Sequence, residues 1–183
     1  MTSLACLLLV GVMGQVSASG VFPFFEPVRP SRAFRVMAHG GAAGRAPENT
    51  SSALEASIAD KFEWVEVDVR LTRDGHHVLF HDDVLERKTD VTGRVRDRTL
   101  AEVRAADAGS RFARRFAGLR VLTLTEGLNL ARGQVNLALA CKEVDPVRLA
   151  REVLAAQMER QVIVSAEPEV LQAVRAEAGE AMA

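Results

Sequence analysis

An α/β fold in a single domain is predicted by three features of the sequence. Short apolar strands alternate with helical segments between Phe34 and Glu177, the order expected of parallel βα units. Glu63 to Leu71 (EWVEVDVRL) alternates strictly between two faces, the period of a strand. Thr99-x-x-Glu102 and Thr123-x-x-Glu126 each have the form of a capping box that opens a helix. With 183 residues, 48% of them hydrophobic and 26% charged, the chain can bury one sizeable core. Lys and Arg total 23 against 24 Asp and Glu, a balance that argues against nucleic acid, since binders of the phosphate backbone carry a basic excess.

The elements follow in order. Leu4 to Met13 is an apolar run too short to span a bilayer, and its n-region lacks Lys or Arg. Val16 and Ala18 after it stand at the −3 and −1 spacing of a signal-peptidase site. Residues 1–18 are therefore expected to be a signal peptide, which places the protein outside the cytoplasm, secreted or periplasmic, with no membrane anchor after cleavage. Cleavage would remove Cys6 and leave Cys141, so no intramolecular disulfide is expected. Residues 19–33 hold the proline-rich Val21–Arg32 stretch and read as an extended lead-in. The domain then occupies 34–183.

Within it, Phe34 to Ala38 is a short strand ending at His39, and Ser51 to Ala59 a helix after the Pro47-Glu48-Asn49-Thr50 punctuation. Glu63 to Leu71 is the clearest strand, and His77 to Phe80 a further one after the Arg73-Asp74-Gly75 turn. Arg94 to Arg115 interleaves arginines with acids and reads as a solvated helical face. Gln134 to Cys141 is a strand, and Asp145-Pro146 supplies an N-cap and N1 proline for a helix to about Met158. Gln161 to Ser165 and Glu169 to Glu177 complete the chain as a fifth strand and a last helix.

The chemistry collects at strand ends. Glu66 and Asp68 share one face of their strand while the intervening valines take the other. Two carboxylates on the inner face of a parallel strand repel each other and lose hydration, and a divalent cation held by oxygen ligands resolves both problems. The competing account is a solvent-facing edge strand, or pairing with an arginine such as Arg70. His39 ends the first strand and enters a glycine-rich loop, and His81 ends the third. Those are positions where α/β barrels carry catalytic groups able to trade a proton near neutral pH. His76 and His77 follow a turn, and Glu48 and Asn49 read most simply as helix capping.

His39-Gly40-Gly41, Ala46-Pro47-Glu48-Asn49-Thr50, Glu66-Val67-Asp68, Thr72-Arg73-Asp74-Gly75 and His81-Asp82 appear in that order. Asp107-Ala108-Gly109-Ser110, Thr123-Leu124-Thr125-Glu126 and Cys141-Lys142 follow them. In this arrangement the chain, from about Val36 to Arg175, resembles the glycerophosphodiester phosphodiesterase family. The resemblance implies a TIM-barrel (β/α)8 fold, here incomplete with about five βα units. It implies hydrolysis of glycerophosphodiesters to glycerol 3-phosphate and an alcohol. It further implies Ca²⁺ or Mg²⁺ on Glu66 and Asp68, His39 and His81 as the acid/base pair, Glu48 supporting the first-strand site, and Lys142 helping to neutralise the phosphate.

The chain departs from the family pattern at three points. Gly40 stands where the family has an arginine, and Ala140 where it has an acidic metal ligand two positions before Lys142. Cys141 is expected on the opposite face and cannot substitute. The expected open sheet has an uncovered inner face and two edges, which fits either a fragment or closure by association. The alternative function is a non-catalytic phosphodiester- or phosphate-binding module on the same scaffold. A third reading is a related barrel that cleaves lipid phosphodiesters.

Overall fold

The computed structural model describes residues 36–179. The expected signal peptide and the whole lead-in, with Phe34 and Arg35 of the first predicted strand, lie outside the described residues. Five strands form one sheet: β1 (Met37–His39), β2 (Trp64–Leu71), β3 (His77–Leu79), β4 (Asn136–Cys141) and β5 (Val162–Ser165). Five α-helices accompany them: α1 (Ser51–Ala59), α2 (Leu100–Ala105), α3 (Leu124–Ala131), α4 (Pro146–Ala155) and α5 (Pro168–Ala178).

β1, β2, β4 and β5 are parallel neighbours in that order. β3 departs from the expected pattern, because it pairs antiparallel with β2, Val69 facing Leu79 and Leu71 facing His77. It is a hairpin strand and not a βα unit, so four parallel strands carry the barrel-type architecture among the described residues. The cause is local: Leu71 to His77 is a tight turn held by the Thr72 N–H to His76 carbonyl bond, whereas a parallel crossover needs roughly a dozen residues or more.

Helix starts follow their caps. Thr99 and Thr123 each form both halves of a capping box with Glu102 and Glu126. Asp145 caps α4 by accepting from the N–H groups of Val147 and Arg148, with Pro146 in the first turn. Thr50, not Asn49, caps α1.

The core lies on one face of the sheet. Val65, Val67 and Val69 of β2 and Leu137 and Leu139 of β4 are wholly buried, joined in one cluster with Leu54, Leu124, Leu128, Leu149 and Val153 of the helices. The valines thus face the helices as the alternation predicts. Cys141 packs at the margin of this cluster, and burial pushes its thiol up to about 12, which makes it an inert packing group.

A second, smaller core gathers Val78, Phe80, Leu85, Val95, Val103, Ala108 and Val121. It corrects the expectation for Arg94 to Arg115. Helix there is limited to the six residues of α2, with single 3₁₀ turns at Val95–Asp97 and Arg114–Phe116. The rest is loop wrapped around this core. Asp107 ties the loop together, accepting from Ser110 Oγ and from the N–H groups of Ser110, Gly118 and Gly109. Those bonds, the Ser110 hydroxyl first, hold its carboxyl well below the usual range. Gly109 is fixed by contact, since a Cβ there would lie 1.8 Å from the Phe116 carbonyl oxygen.

Candidate active site

The carboxyl ends of β1 and β2, together with the end of the β2–β3 hairpin, present the polar residues. β1 and β2 are in register with His39 opposite Glu66, which sets His39 Nδ1 3.2 Å from Glu66 Oε2. The same oxygen accepts from the Gly40 N–H at 3.0 Å. Gly40 has φ +63°, and a Cβ there would lie 2.9 Å from Glu48 Cβ. Glycine at this position is therefore matched to the close packing of the Glu48 loop, and an arginine would require that loop to shift.

Asp68, two residues along on the same face, is 1% exposed. Asn49 grips it twice: Asn49 Nδ2 donates to Asp68 Oδ2 at 3.0 Å, and the Asp68 N–H donates to Asn49 Oδ1 at 2.9 Å. Asn49 adopts the left-handed region at φ +58°, which asparagine tolerates better than most residues. Lys142 Nζ lies 3.2 Å from Asp68 Oδ1, which accepts no aligned hydrogen bond. Ala140 stands opposite Asp68 in the β2–β4 ladder, so the neighbouring strand adds no oxygen there.

His81 Nδ1 is 3.4 Å from Asp82 Oδ1. Asp82 is 7% exposed; its Oδ1 accepts from Arg87 at 3.1 Å while Oδ2 is buried without a partner. Both predicted histidines therefore have a carboxylate beside Nδ1, which favours the proton on Nδ1 and leaves Nε2 available for exchange. Arg70 steadies the second histidine through the backbone. Its Nε donates to the His81 carbonyl at 2.9 Å, and its guanidinium pairs with Glu143, which also takes Arg96 at 3.0 Å. The pairing of Arg70 with an inner-face carboxylate, the competing account for β2, is not what the structure forms.

His39, Glu48, His81, Asp82, Arg87 and Lys88 line one open cleft of about 360 Å³. The structure thus brings His39, His81 and Glu48 together. Glu66 reaches the cleft through His39, and Asp68 with Lys142 forms a separate pair further along β2. Glu48 Oε1 pairs with Lys88 at 3.2 Å, and Glu66, not Glu48, is the carboxylate against His39. Asn49, Asp82, Arg87 and Lys88 were missed as site residues in the sequence. Asn49 and Asp82 were signalled by adjacency to Glu48 and His81 in the quoted motifs, whereas Arg87 and Lys88 stand outside those motifs.

For a divalent cation, Glu66 and Asp68 offer two carboxylates on one face of β2. Asp68 Oδ1 is buried without an aligned hydrogen bond, the Lys142 ammonium lying 3.2 Å from it, and a buried carboxylate oxygen of this kind suits a hard cation. No histidine, cysteine or carboxylate among the described residues comes close enough to both carboxylates to act as a third ligand. The group of three that does converge is Glu48, His81 and Asp82, and it sits beside the cations of Arg87 and Lys88.

A parallel sheet backed by helices, with histidines and carboxylates at the carboxyl ends of its strands, defines a TIM-barrel-type α/β protein with its site at the usual end. Residues 39–180 match the profile of the glycerophosphoryl diester phosphodiesterase family, and the chain belongs to that family. The glycerophosphodiester phosphodiesterase of Bacillus subtilis is 34% identical over 139 residues, 72% of this chain and 47% of that protein. That of Caldanaerobacter subterraneus is 42% identical over 95 residues, 52% of this chain and 39% of that protein. Among solved structures, a glycerophosphodiester phosphodiesterase from Agrobacterium tumefaciens aligns with a TM-score of 0.75 at 32% identity, covering 81% of this chain and 64% of that one. An Oleispira antarctica phosphodiesterase in complex with the product sn-glycerol-3-phosphate aligns at 0.68 and 33%, covering 80% of this chain and 63% of that one. The chain thus spans about half the length, or less, of these curated relatives.

Proposed function

We propose that this protein hydrolyses glycerophosphodiesters to glycerol 3-phosphate and an alcohol, and that the cleft between His39 and His81 is its active site. The observation that carries the reading is the paired geometry of the two histidines, each with a carboxylate at Nδ1 and both lining one cleft. One imidazole takes the proton of the attacking hydroxyl at Nε2, and the other supplies a proton to the departing alkoxide. Glu66 and Asp82 fix the ring orientations and stabilise each imidazolium as it forms. Arg87 and Lys88 give the cleft the positive charge that draws in a phosphodiester, a task the family pattern assigns in part to the position of Gly40. Lys142, beside Asp68 at 3.2 Å, adds a further positive group on the same sheet face as the phosphate.

Glu66 and Asp68 would hold a divalent cation, with water or substrate oxygens completing its shell. Such a cation polarises a phosphoryl oxygen when bound. Two carboxylates suit Mg²⁺, which keeps several waters, better than Ca²⁺, which gathers six to eight oxygens. A secreted or periplasmic location is part of the same proposal, supported by the apolar run Leu4–Met13 and the Val16/Ala18 spacing in the sequence.

The test is release of glycerol 3-phosphate from glycerophosphocholine, measured before and after chelation and again with Mg²⁺ restored. Release that falls on chelation and returns with Mg²⁺ supports the reading; no release under any condition overturns it. The non-catalytic alternative has one observation in its favour, Ala140 opposite Asp68. It predicts phosphate binding with no turnover and no response to metal.

A further inference from the structure

Arg70 is the one cation of β2, and its side chain is 12% exposed. It spans two acceptors. Its Nε donates to the His81 carbonyl at 2.9 Å, and its Nη1 lies 3.3 Å from Glu143 Oε2. The hairpin ladder ends one residue before that carbonyl, where the Phe80 N–H donates to the Asp68 carbonyl at 2.9 Å. Among the described residues, the Arg70 bond is the only hydrogen bond to the main chain of His81. Glu143 stands on the loop after β4, and its other oxygen, Oε1, takes Arg96 Nη1 at 3.0 Å. Glu143 is thus a counterion that two arginines share. It ties the end of β2 to the β4–α4 loop and to the Arg94–Arg115 segment, and it does not itself line the cleft.

We propose that Glu143 is a positioning residue for His81, acting through Arg70. The inference rests on the active-site reading above and adds a residue that supports its acid/base pair. A guanidinium is a rigid planar fork, so fixing one of its nitrogens sets the direction of the others. Glu143 holds Nη1, which aims Nε at the His81 carbonyl. Held at both points, the fork fixes the His81 main chain and so the origin from which its imidazole reaches the cleft. Without Glu143 the mostly buried cation turns toward water, and the His81 carbonyl loses its donor. Lys142 does not depend on this tie, because Asp68 lies 3.2 Å from its ammonium. The expected signature is therefore slower turnover with substrate binding kept. Proton transfer needs its groups within hydrogen-bond reach, and a misplacement of about 1 Å can cost about 10²-fold.

The experiment measures kcat and KM for glycerophosphocholine on the full chain, with Mg²⁺ present, in Glu143→Ala and Glu143→Gln. Glu143 is half-exposed on a loop, so both variants should fold as the parent does. Glu143→Ala should lower kcat about tenfold and change KM by less than about twofold. Glu143→Gln keeps an acceptor for Arg70 Nη1 and gives up the charge, so it should recover part of that loss. Arg70→Met removes both bonds and should lose at least as much as Glu143→Ala. The double substitution should then be no slower than Arg70→Met alone, because the two residues act as one unit. The Glu143 variants decide the matter if Arg70→Met does not fold. The His81 ring proton resonance, identified by its absence in His81→Ala, should shift in Glu143→Ala and return toward the parent position in Glu143→Gln. A kcat within about twofold of the parent in Glu143→Ala, a loss confined to KM, or an unmoved His81 resonance would overturn the positioning role and leave the active-site reading intact. A parent chain that releases no glycerol 3-phosphate would overturn both.

Discussion

The two faces of β2 share one backbone and have opposite tasks. On the helix-covered face Val65, Val67 and Val69 are wholly buried in one apolar cluster. On the other, Glu66 is held by His39 and Gly40, Asp68 by Asn49 and Lys142, and Arg70 by the His81 carbonyl and Glu143. The first face needs only volume and apolar surface. The second needs a named partner for every side chain, because a buried charge without one costs several kcal/mol. Stability and chemistry are thus separated by a single residue step, and substitutions on the two faces should fail in different assays.

The sharpest separation is expected at His81. His81→Ala should lower glycerol 3-phosphate release by about 10²–10⁴-fold, the usual worth of a positioned acid or base. Its half-exposed side chain leaves the thermal unfolding midpoint nearly unchanged. A variant that kept its rate would move the active site away from this cleft. The converse is expected at Leu139, on the helix-covered face of β4. Leu139→Ala should cost about 2–5 kcal/mol in denaturant unfolding, with the rate per folded molecule retained. Loss of rate in step with stability at both positions would dissolve the distinction between the faces.

Asn49 tests whether the polar face also carries stability. Its side chain satisfies both the Asp68 carboxylate and the Asp68 N–H, so Asn49→Ala leaves two buried polar groups without partners. A loss of about 1–3 kcal/mol follows, and metal affinity should fall with it if Asp68 is a ligand. Ala140→Glu approaches the same site from the facing strand. It supplies the carboxylate that the ladder lacks opposite Asp68 and should tighten Mg²⁺ binding about tenfold, the order expected of one added charged ligand. Turnover should rise with it. Tighter metal without faster turnover would mean that the cation is structural.

How far the sequence alone reached follows the same division. The helix-covered face was legible because it depends on period: the β2 valines, the Thr99 and Thr123 capping boxes and the Asp145-Pro146 helix start are all local patterns. His39, Glu66, Asp68 and His81 were legible as a polar group on one side of the sheet, since polar residues set among buried strand positions have few structural reasons to be there. Three features were not read. The antiparallel course of β3 was available in the shortness of the Leu71–His77 connection, but its apolar run matched a parallel strand equally well. The Arg94–Arg115 loop has its own core, assembled from residues far apart in sequence, and no helical or strand period announces it. Asn49 satisfied a local explanation, helix capping, while its actual partner Asp68 lies on another element.

The smallest effect concerns acid, and it tests a contact that lies wholly outside the cleft. His77, at the start of β3, is buried; its Nε2 accepts the N–H of Asp145 at the start of α4, and its Nδ1 lies 3.5 Å from Glu152. Burial pushes the Glu152 carboxyl up, but the neighbouring His77 ring and the Arg148 guanidinium outweigh it and leave it below its ordinary value of 4.5. A carboxyl whose pKa is lower folded than unfolded adds stability above its ordinary value. That stability is lost as pH falls through the lowered one. Unfolding free energy should therefore decline from about pH 4.5 downward, and Glu152→Gln should flatten that part of the profile. The Glu152→Gln protein should be no less active per folded molecule near neutral pH, because the pair joins the hairpin to α4 and touches neither histidine of the cleft. A parallel loss of turnover would show that the seating of α4, and with it the β4–α4 loop bearing Lys142 and Glu143, is coupled to the site.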